Sequence, residues 1–365
     1  SDVPFWALPN ALTPNADERG GIISKARTAN GVGSAVPTAF FMVLGFILPK
    51  FNLSGTELEK TKYMCIALFC AIVGNLLFIR VYFKTKERVN IPIPPKKDKN
   101  QPSALKLIFT CKPLMLTALM GILSAARYMY QAGAVHAARY SFYIGKDLTG
   151  LSAAQEAALQ GNISLVSTVF SVASAVGMFG AMLLMPVLFK KFNYKQIIIA
   201  TSLLGAVSSL IMWCIGYQHF WACVPFLVLS CVPCGAINVC AFAMIGDCLD
   251  YMEWKTGTRL TGMGSAIQSF VTKLGAALST SFIILMYIIV DLDVGSINAS
   301  VTANPLLMSH GVRSGIFSVV SLIPAISLLV CTIPMFFYNL TGDFREKMET
   351  ELAAQREKKG ITITD

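Results

Sequence analysis

Long apolar runs separated by short polar gaps fill almost the whole chain, near residues 28–49, 63–83, 108–142, 163–189, 196–216, 221–246, 262–290 and 314–339. A bilayer core about 30 Å thick is crossed by about 20 mostly apolar residues in helical form, and each of the eight runs is long enough. No segment alternates apolar and polar residues with the period of two that a membrane β-barrel requires. The pattern predicts an all-α membrane protein with eight complete transmembrane helices. The opening SDVPFWALPNAL reads as the end of a ninth. The 108–142 run exceeds one crossing and is expected to tilt, or to continue past the membrane as a projecting helix.

The polar gaps divide these runs unequally. Residues 84–107 are rich in Lys and Pro, the composition of an extended linker. Two complete runs precede it and six follow. Two six-helix halves joined by a basic central loop would give this spacing. Residues 1–83 are then the remainder of an N-terminal half (the end of helix 4, with helices 5 and 6), 84–107 the central loop, 108–340 helices 7 to 12, and 341–365 a tail. Twelve helices are expected in the whole protein, the first of them upstream of Ser1. The tail, DFREKMETELAAQREKKG, alternates acids and bases at helical spacing with few large apolar residues, as a solvated helix would.

Charge adds an orientation. Lys and Arg accumulate in cytoplasmic loops. The segments 8–27, 84–112, 190–195 and 247–261 and the tail from 340 hold 21 of the 30 basic residues, and the opposite loops hold 5. The four left over, Arg80, Arg127, Arg139 and Lys273, fall within helices or at their ends. The C-terminus is therefore expected on the cytoplasmic side of a cell membrane. The net charge of +10 belongs mostly to that face, and no basic, aromatic-interleaved soluble domain exists to bind nucleic acid. The ten cysteines lie almost entirely in apolar runs, where a thiol acts as a small hydrophobe. Cys231 and Cys234 mimic a redox pair outside the βαβ setting that would support one, and no zinc spacing occurs.

An Asp, Lys or Arg at the centre of a membrane helix costs about 2.5–3.5 kcal/mol on insertion scales, so such residues face a cavity or a partner. Lys273 lies 11 residues beyond Gly262, roughly 16 Å into the bilayer at about 1.5 Å per residue. Ser269, Phe270, Ala276 and Ala277 share its face, with Gln268 slightly round the helix; a water-lined site and a structural ion pair both fit. Arg127 sits mid-run in SAARYMYQAGAVHAARY with Tyr130, Gln131 and Ala134 at helical spacing, donors and aromatic faces suited to sugar hydroxyls. His136 reads as a satisfied interfacial histidine. Near the start, Asp2 and Trp6 are spaced to share one helix face, which fits a site or, equally, a helix-end acid beside a lipid-interface Trp, and Arg27 follows after a loop.

DCLDYMEWKTGTRLTGMGSAIQSFVTKLGAAL, beginning at Asp247, resembles the signature of the glycoside, pentoside and hexuronide cation symporters, the melibiose-carrier-like branch of the major facilitator superfamily. DVPFWAL at the start independently resembles that family's fourth-helix motif. Met252 stands where the family often has Gly. The resemblance implies a major facilitator fold and a sugar or glycoside carried with Na+, H+ or Li+ by alternating access, with no other cofactor and a monomeric protein. It implies that Asp2 serves sugar and cation together, that Trp6 and Arg27 line the sugar site, and that Lys273 lies in or near the cavity. It also places Asp247, Asp250 and Glu253 in a cytoplasmic gate, pairing with Arg259 and with Arg19 in partly wet contacts worth about 0–1 kcal/mol each. The first- and second-helix acids of the family would lie upstream of Ser1. The competing readings are an uncoupled facilitator, an amphipathic-lipid carrier and a non-transporting sensor. A membrane enzyme is weaker, since DCLDYME has no nucleophile or metal-ligand set beside its acids.

Overall fold

A computed structural model describes residues 8–13, 16–47, 55–85, 104–145, 153–257, 261–292 and 305–358. Among these no strand occurs. The helices in order are α1 (Pro9–Leu12), α2 (Ala16–Ile47), α3 (Gly55–Lys84), α4 (Ala104–Thr110), α5 (Lys112–Leu123), a 3-10 turn at Ala125–Tyr128, α6 (Met129–Ala132), α7 (Ala134–Tyr140), α8 (Ala153–Leu188), α9 (Tyr194–Ile215), α10 (Phe220–Ser230), α11 (Val232–Thr256), α12 (Thr261–Ile289), α13 (His310–Val319), α14 (Leu322–Val330), α15 (Thr332–Phe336) and α16 (Gly342–Lys358). Among the described residues six stretches are long and apolar enough to cross a membrane: Tyr63–Lys84, Leu165–Leu188, Tyr194–Ile215, Phe220–Thr256, Gly264–Ile289 and His310–Phe336. Residues 28–47 of the expected crossing at 28–49 lie in α2, and 48–49 lie outside the described residues.

Helix ends follow local chemistry. Asn193 and Gln196 form a capping box at the start of α9, and Gly216, at φ 81°, ends it. Gly257, at φ 69°, closes α11, its N–H donating to the Glu253 carbonyl at 2.7 Å. Lys195 Nζ donates to the carbonyls of Phe336 and Tyr338 at 3.0 and 3.1 Å, placing a cation at the C-terminal end of α15.

The bundle packs around α11, which is buried along most of its length and meets α8, α9, α12 and α5. α2 lies against α8 and α11, and α3 packs on α2. Where α8 crosses the α10–α11 junction the backbones nearly touch. A Cβ on Gly177 would lie 2.1 Å from the Val228 carbonyl oxygen, and one on Gly235 2.1 Å from that of Met178. Small residues at such a crossing replace bulk with close van der Waals contact. Outward, α3 presents Leu68, Ile72, Leu76, Ile79 and Phe83, a lipid-suited surface.

Three expectations need correction. The 108–142 run is not one long projecting helix: it is broken into α4, α5, the 3-10 turn, α6 and α7. The segment 247–261 is not a loop throughout, because α11 continues to Thr256. The Phe220–Thr256 stretch of 37 residues runs to roughly 55 Å at 1.5 Å per residue, longer than a core about 30 Å thick requires. The tail is helical but not simply solvated, since Met348, Leu352 and Arg356 are buried.

Candidate functional site

The interruption at Ala125–Tyr128 lies within a span that has no internal Pro between Pro113 and Tyr140. Breaking a membrane helix frees backbone groups that lipid cannot satisfy, and neighbouring helices supply the partners. Ser327 Oγ of α14 donates to the Leu123 carbonyl at 2.6 Å, and the Cys234 thiol of α11 to that of Arg127 at 3.6 Å. Glycines let α12 close on the break: Gly275 sits against Tyr128 and Ala125, and Gly121 against Val271.

Arg127 is carried on this turn and is 4% exposed. Its Nη1 donates to the Ser124 carbonyl at 3.2 Å and to Ser124 Oγ, and its Nη2 to Tyr128 Oη at 2.9 Å and Asn238 Oδ1 at 3.3 Å. The guanidinium lies 4.5 Å from the Tyr128 ring centre. Its Nε has no hydrogen-bond partner among the described residues. Tyr128 and Asn238 are thus its neighbours, and the sequence did not single out either. The structure does not bring Tyr130 to this group. The 3-10 turn shifts the helical phase, and Tyr130 is fully buried, sharing a 2.5 Å hydrogen bond with Ser209 of α9. Gln131 is exposed, with its amide 3.8 Å from Met178 Sδ of α8. His136 is satisfied as expected, through a hydrogen bond to the Tyr287 hydroxyl.

On α12 the two candidates part company. Gln268 belongs to the buried stripe that includes Gly264, Val271, Gly275 and Ser279. Lys273, five residues on and about 140° round the helix at 3.6 residues per turn, is on the exposed face with Phe270, Ala276 and Ala277. No ion pair of Lys273 occurs among the described residues. Lys273→Ala is therefore expected to leave membrane insertion and yield at the level of the parent protein while lowering solute accumulation. Membrane-fraction blots beside uptake check this, and a loss of inserted protein would restore the structural role.

At the far end of α11, Asp247, Asp250 and Glu253 repeat every three residues and are 1%, 6% and 5% exposed. Their partners among the described residues are the arginines of α16. Arg356 of α16 donates from Nε to Glu253 Oε1 at 3.0 Å, and from Nη2 to Glu253 Oε2 at 2.5 Å and Asp250 Oδ1 at 3.2 Å. Arg345 Nε lies 3.3 Å from Asp247 Oδ2, with its guanidinium 5.3 Å from the Tyr194 ring. Trp254 Nε1 donates to Glu351 Oε2 at 2.9 Å. Burial alone would lower the Arg356 pKa; the Glu253 and Asp250 carboxylates more than reverse that and hold it above its ordinary value. α16 is thus clamped onto the acid cluster by a stripe of Arg345, Met348, Leu352 and Arg356 at spacings of three and four. Asp2, Trp6 and Arg259, and the side chains of Arg19 and Arg27, lie outside the described residues.

A family model described as MFS/sugar transport protein matches residues 1–342. The chain belongs to this family. It is thus a multi-pass membrane protein of a transport family, which sets aside the enzyme reading of DCLDYME, and the resemblance carried by the two motifs agrees with it. The chain is 26% identical to the uncharacterized symporter YjmB of Bacillus subtilis, over 96% of its own length and 69% of that protein. It is 26% identical to the lactose permease of Lactobacillus delbrueckii subsp. bulgaricus, over 83% of the chain and 45% of the permease. With a putative sulfoquinovose importer of Escherichia coli it shares 24% identity, over 75% of the chain and 53% of that protein. The chain thus spans between about half and two thirds of these relatives.

Proposed function

We propose that the protein carries a sugar or glycoside across a bacterial inner membrane by alternating access, coupled to entry of Na+, H+ or Li+, as a monomer with its C-terminus cytoplasmic. Relatives named as a symporter, a lactose permease and an importer of a sugar derivative support the substrate class. The observation that carries the reading is the broken helix bearing Arg127. Interrupted helices near the midplane are where transporters place their solute and ion sites. A buried guanidinium with neutral oxygen partners supplies fixed N–H donors there. Lys273 on the exposed face of α12, with Asp2, Trp6 and Arg27, completes the proposed set, and Gln268 supports it from the buried side of α12. Tyr130 holds the helices behind it.

The coupling runs through Asp2. A carboxylate shared by cation and sugar makes each ligand raise the other's affinity, and the coupling is reciprocal. The acid cluster at the end of α11 closes the cytoplasmic side, with Arg356 and Arg345 of α16 as partners alongside Arg19 and Arg259. Asp2→Asn is expected to abolish cation-stimulated uptake, with the protein still inserted. Initial rates in membrane vesicles with and without added Na+ or acid outside check this. Stimulation equal to that of the parent protein would remove Asp2 from the mechanism.

A further inference from the structure

Cys231 and Cys234 have no βαβ unit around them, yet the structure gives them the other setting in which a Cys-X-X-Cys pair is redox-active, the start of a helix. Cys231 is the N-cap of α11, and Pro233 lies in its first turn. The Cys234 N–H donates to the Cys231 carbonyl at 3.1 Å, closing one tight turn. Residues three apart on a helix have Cα atoms about 5 Å apart, inside the roughly 4.4–6.8 Å that a disulfide spans. The two thiols face each other, both are free, and they are 1% and 8% exposed.

The pair is tied to the broken helix. Cys234 Sγ donates to the Arg127 carbonyl at 3.6 Å, one of the bonds that satisfy the carbonyls freed by the break. Ser174 of α8 lies beside the Cys231 thiol, and its hydroxyl is buried with no hydrogen-bond partner among the described residues. Space then selects the chemistry. A Cβ on Gly177 would lie 3.0 Å from the Cys231 Cβ, and one on Gly235 2.1 Å from the Met178 carbonyl oxygen, which leaves little room for a metal or a bulky adduct, whereas a disulfide adds no atom. Cys231 lies 11 residues into the Phe220–Thr256 stretch, about 16 Å at 1.5 Å per residue, roughly half of a core about 30 Å thick. An oxidant that reaches that depth is small and uncharged.

We infer that Cys231 and Cys234 form a dithiol–disulfide switch, closed by hydrogen peroxide, that unlatches the broken helix of Arg127. One thiol sulfur attacks the peroxide O–O bond, giving a sulfenic acid and one water; the second thiol displaces its hydroxyl as another water, and the S–S bond forms. Two electrons and two hydrogens pass from the thiols to the peroxide. The bridged Cys234 has no S–H left to donate, so the Arg127 carbonyl loses this partner where lipid offers no replacement, while the Ser174 hydroxyl gains a sulfur acceptor. The effect on uptake rests on the sugar-carrier reading above; the bond and the release of the helix do not.

The test treats vesicles holding the full-length protein with hydrogen peroxide, then alkylates the denatured protein with N-ethylmaleimide and digests it for mass spectrometry. Cys231 and Cys234 are expected on one peptide, unalkylated and lighter by two hydrogens, with the other eight cysteines alkylated. Amide hydrogen exchange over residues 120–135 speeds up in the oxidised protein, and uptake falls roughly fivefold, the scale of one hydrogen bond. Dithiothreitol reverses all three changes. Cys231→Ala keeps uptake and exchange at the parent rates with and without peroxide, and Cys231→Ser repeats the test should the alanine variant insert poorly. Alkylation of both cysteines after peroxide, exchange that a formed bridge leaves unchanged, or inhibition that persists in the variants would overturn the switch. The two readings also fail separately. A bridge with faster exchange in a protein that never accumulates sugar leaves the switch standing and sinks the carrier; accumulation that peroxide does not touch does the reverse.

Discussion

Arg356→Ala is expected to release α16 from the end of α11 and to open the buried Cys248 thiol to labelling. Cys248 lies between Asp247 and Leu249, is fully buried, and sits 3.9 Å from the Tyr338 hydroxyl just ahead of α16. The size of the effect follows from what the substitution leaves behind. Arg356 fills both oxygens of Glu253 and one of Asp250, and all three side chains are less than a tenth exposed. Removing one partner of a buried ionic group strands the others and costs about 3–5 kcal/mol. That exceeds what Met348, Leu352 and the Trp254–Glu351 hydrogen bond can readily offset. Peptide mass spectrometry after a short pulse of a soluble maleimide, applied to inverted vesicles, reads Cys248 apart from the other nine cysteines. Labelling at least about a hundredfold faster than in the parent is expected, since each 1.4 kcal/mol is a factor of ten. Arg356→Lys, which keeps the charge but not the fork, should fall between. Labelling at the parent rate in both variants would mean that the clamp contributes nothing to closure. If Arg356 belongs to the gate, the alanine variant also slows accumulation, because a cytoplasmic side that cannot close leaks its gradient.

Gly235→Ala is the second large effect. Its added methyl would lie 2.1 Å from the Met178 carbonyl oxygen, and the reciprocal Gly177→Ala methyl 2.1 Å from that of Val228. In neither case is the obstructing atom a side chain that can swing away. α8 must separate from α11 in the first case and from α10 in the second, and with it the packing of Met178 and Cys231. Overpacking of this kind costs about 1–3 kcal/mol in a core able to adjust, and backbone against backbone puts these sites at or above the top of that range. Gly180→Ala is the control on the same helix, with nothing within 4 Å of the added carbon. Thermal unfolding in detergent should show a clear loss for Gly177→Ala and Gly235→Ala and none for Gly180→Ala. Equal melting temperatures for all three would mean that the crossing is looser than the structure has it.

That pair of glycines marks how far the sequence could be read. The frequency of Gly and Ser in SVASAVGMFGAM announces close helix contact without saying which glycine makes it. Gly177 and Gly180 differ by three residues, and only the path of α10 and α11 decides between them. The helices themselves were legible because long apolar runs in a membrane have no other backbone solution. The break at Ala125–Tyr128 was not, since SAARYMYQAGAVHAARY is uniformly helix-compatible and the stabilising groups, Ser327 and Cys234, are more than 100 residues distant. Arg127 could be recognised by the cost of its charge. Its true neighbours could not, because an unbroken helix points Tyr130 its way and a 3-10 turn points it towards Ser209.

Reading α16 as a solvated tail weighed composition over register. DFREKMETELAAQREK is mostly polar, yet Arg345, Met348, Leu352 and Arg356 fall at i, i+3, i+7 and i+11, a single stripe. Two arginines at the ends of that stripe, facing three acids spaced by three on α11, are a legible complementarity once the two helices are known to touch. On α12, Gln268 was read as lying only slightly round the helix from Lys273, whereas the structure buries Gln268 and exposes Lys273.

The account stands most directly on gradient-driven uptake by the full-length protein. Inside-negative membrane vesicles would be given labelled glycosides and glycosiduronic acids with, and without, an imposed Na+ or H+ gradient. The account predicts that at least one of them accumulates above its outside concentration only while a cation gradient is present, and that the accumulation collapses when an ionophore dissipates it. Correctly inserted protein that brings every sugar no further than equilibrium, with or without a gradient, would contradict it.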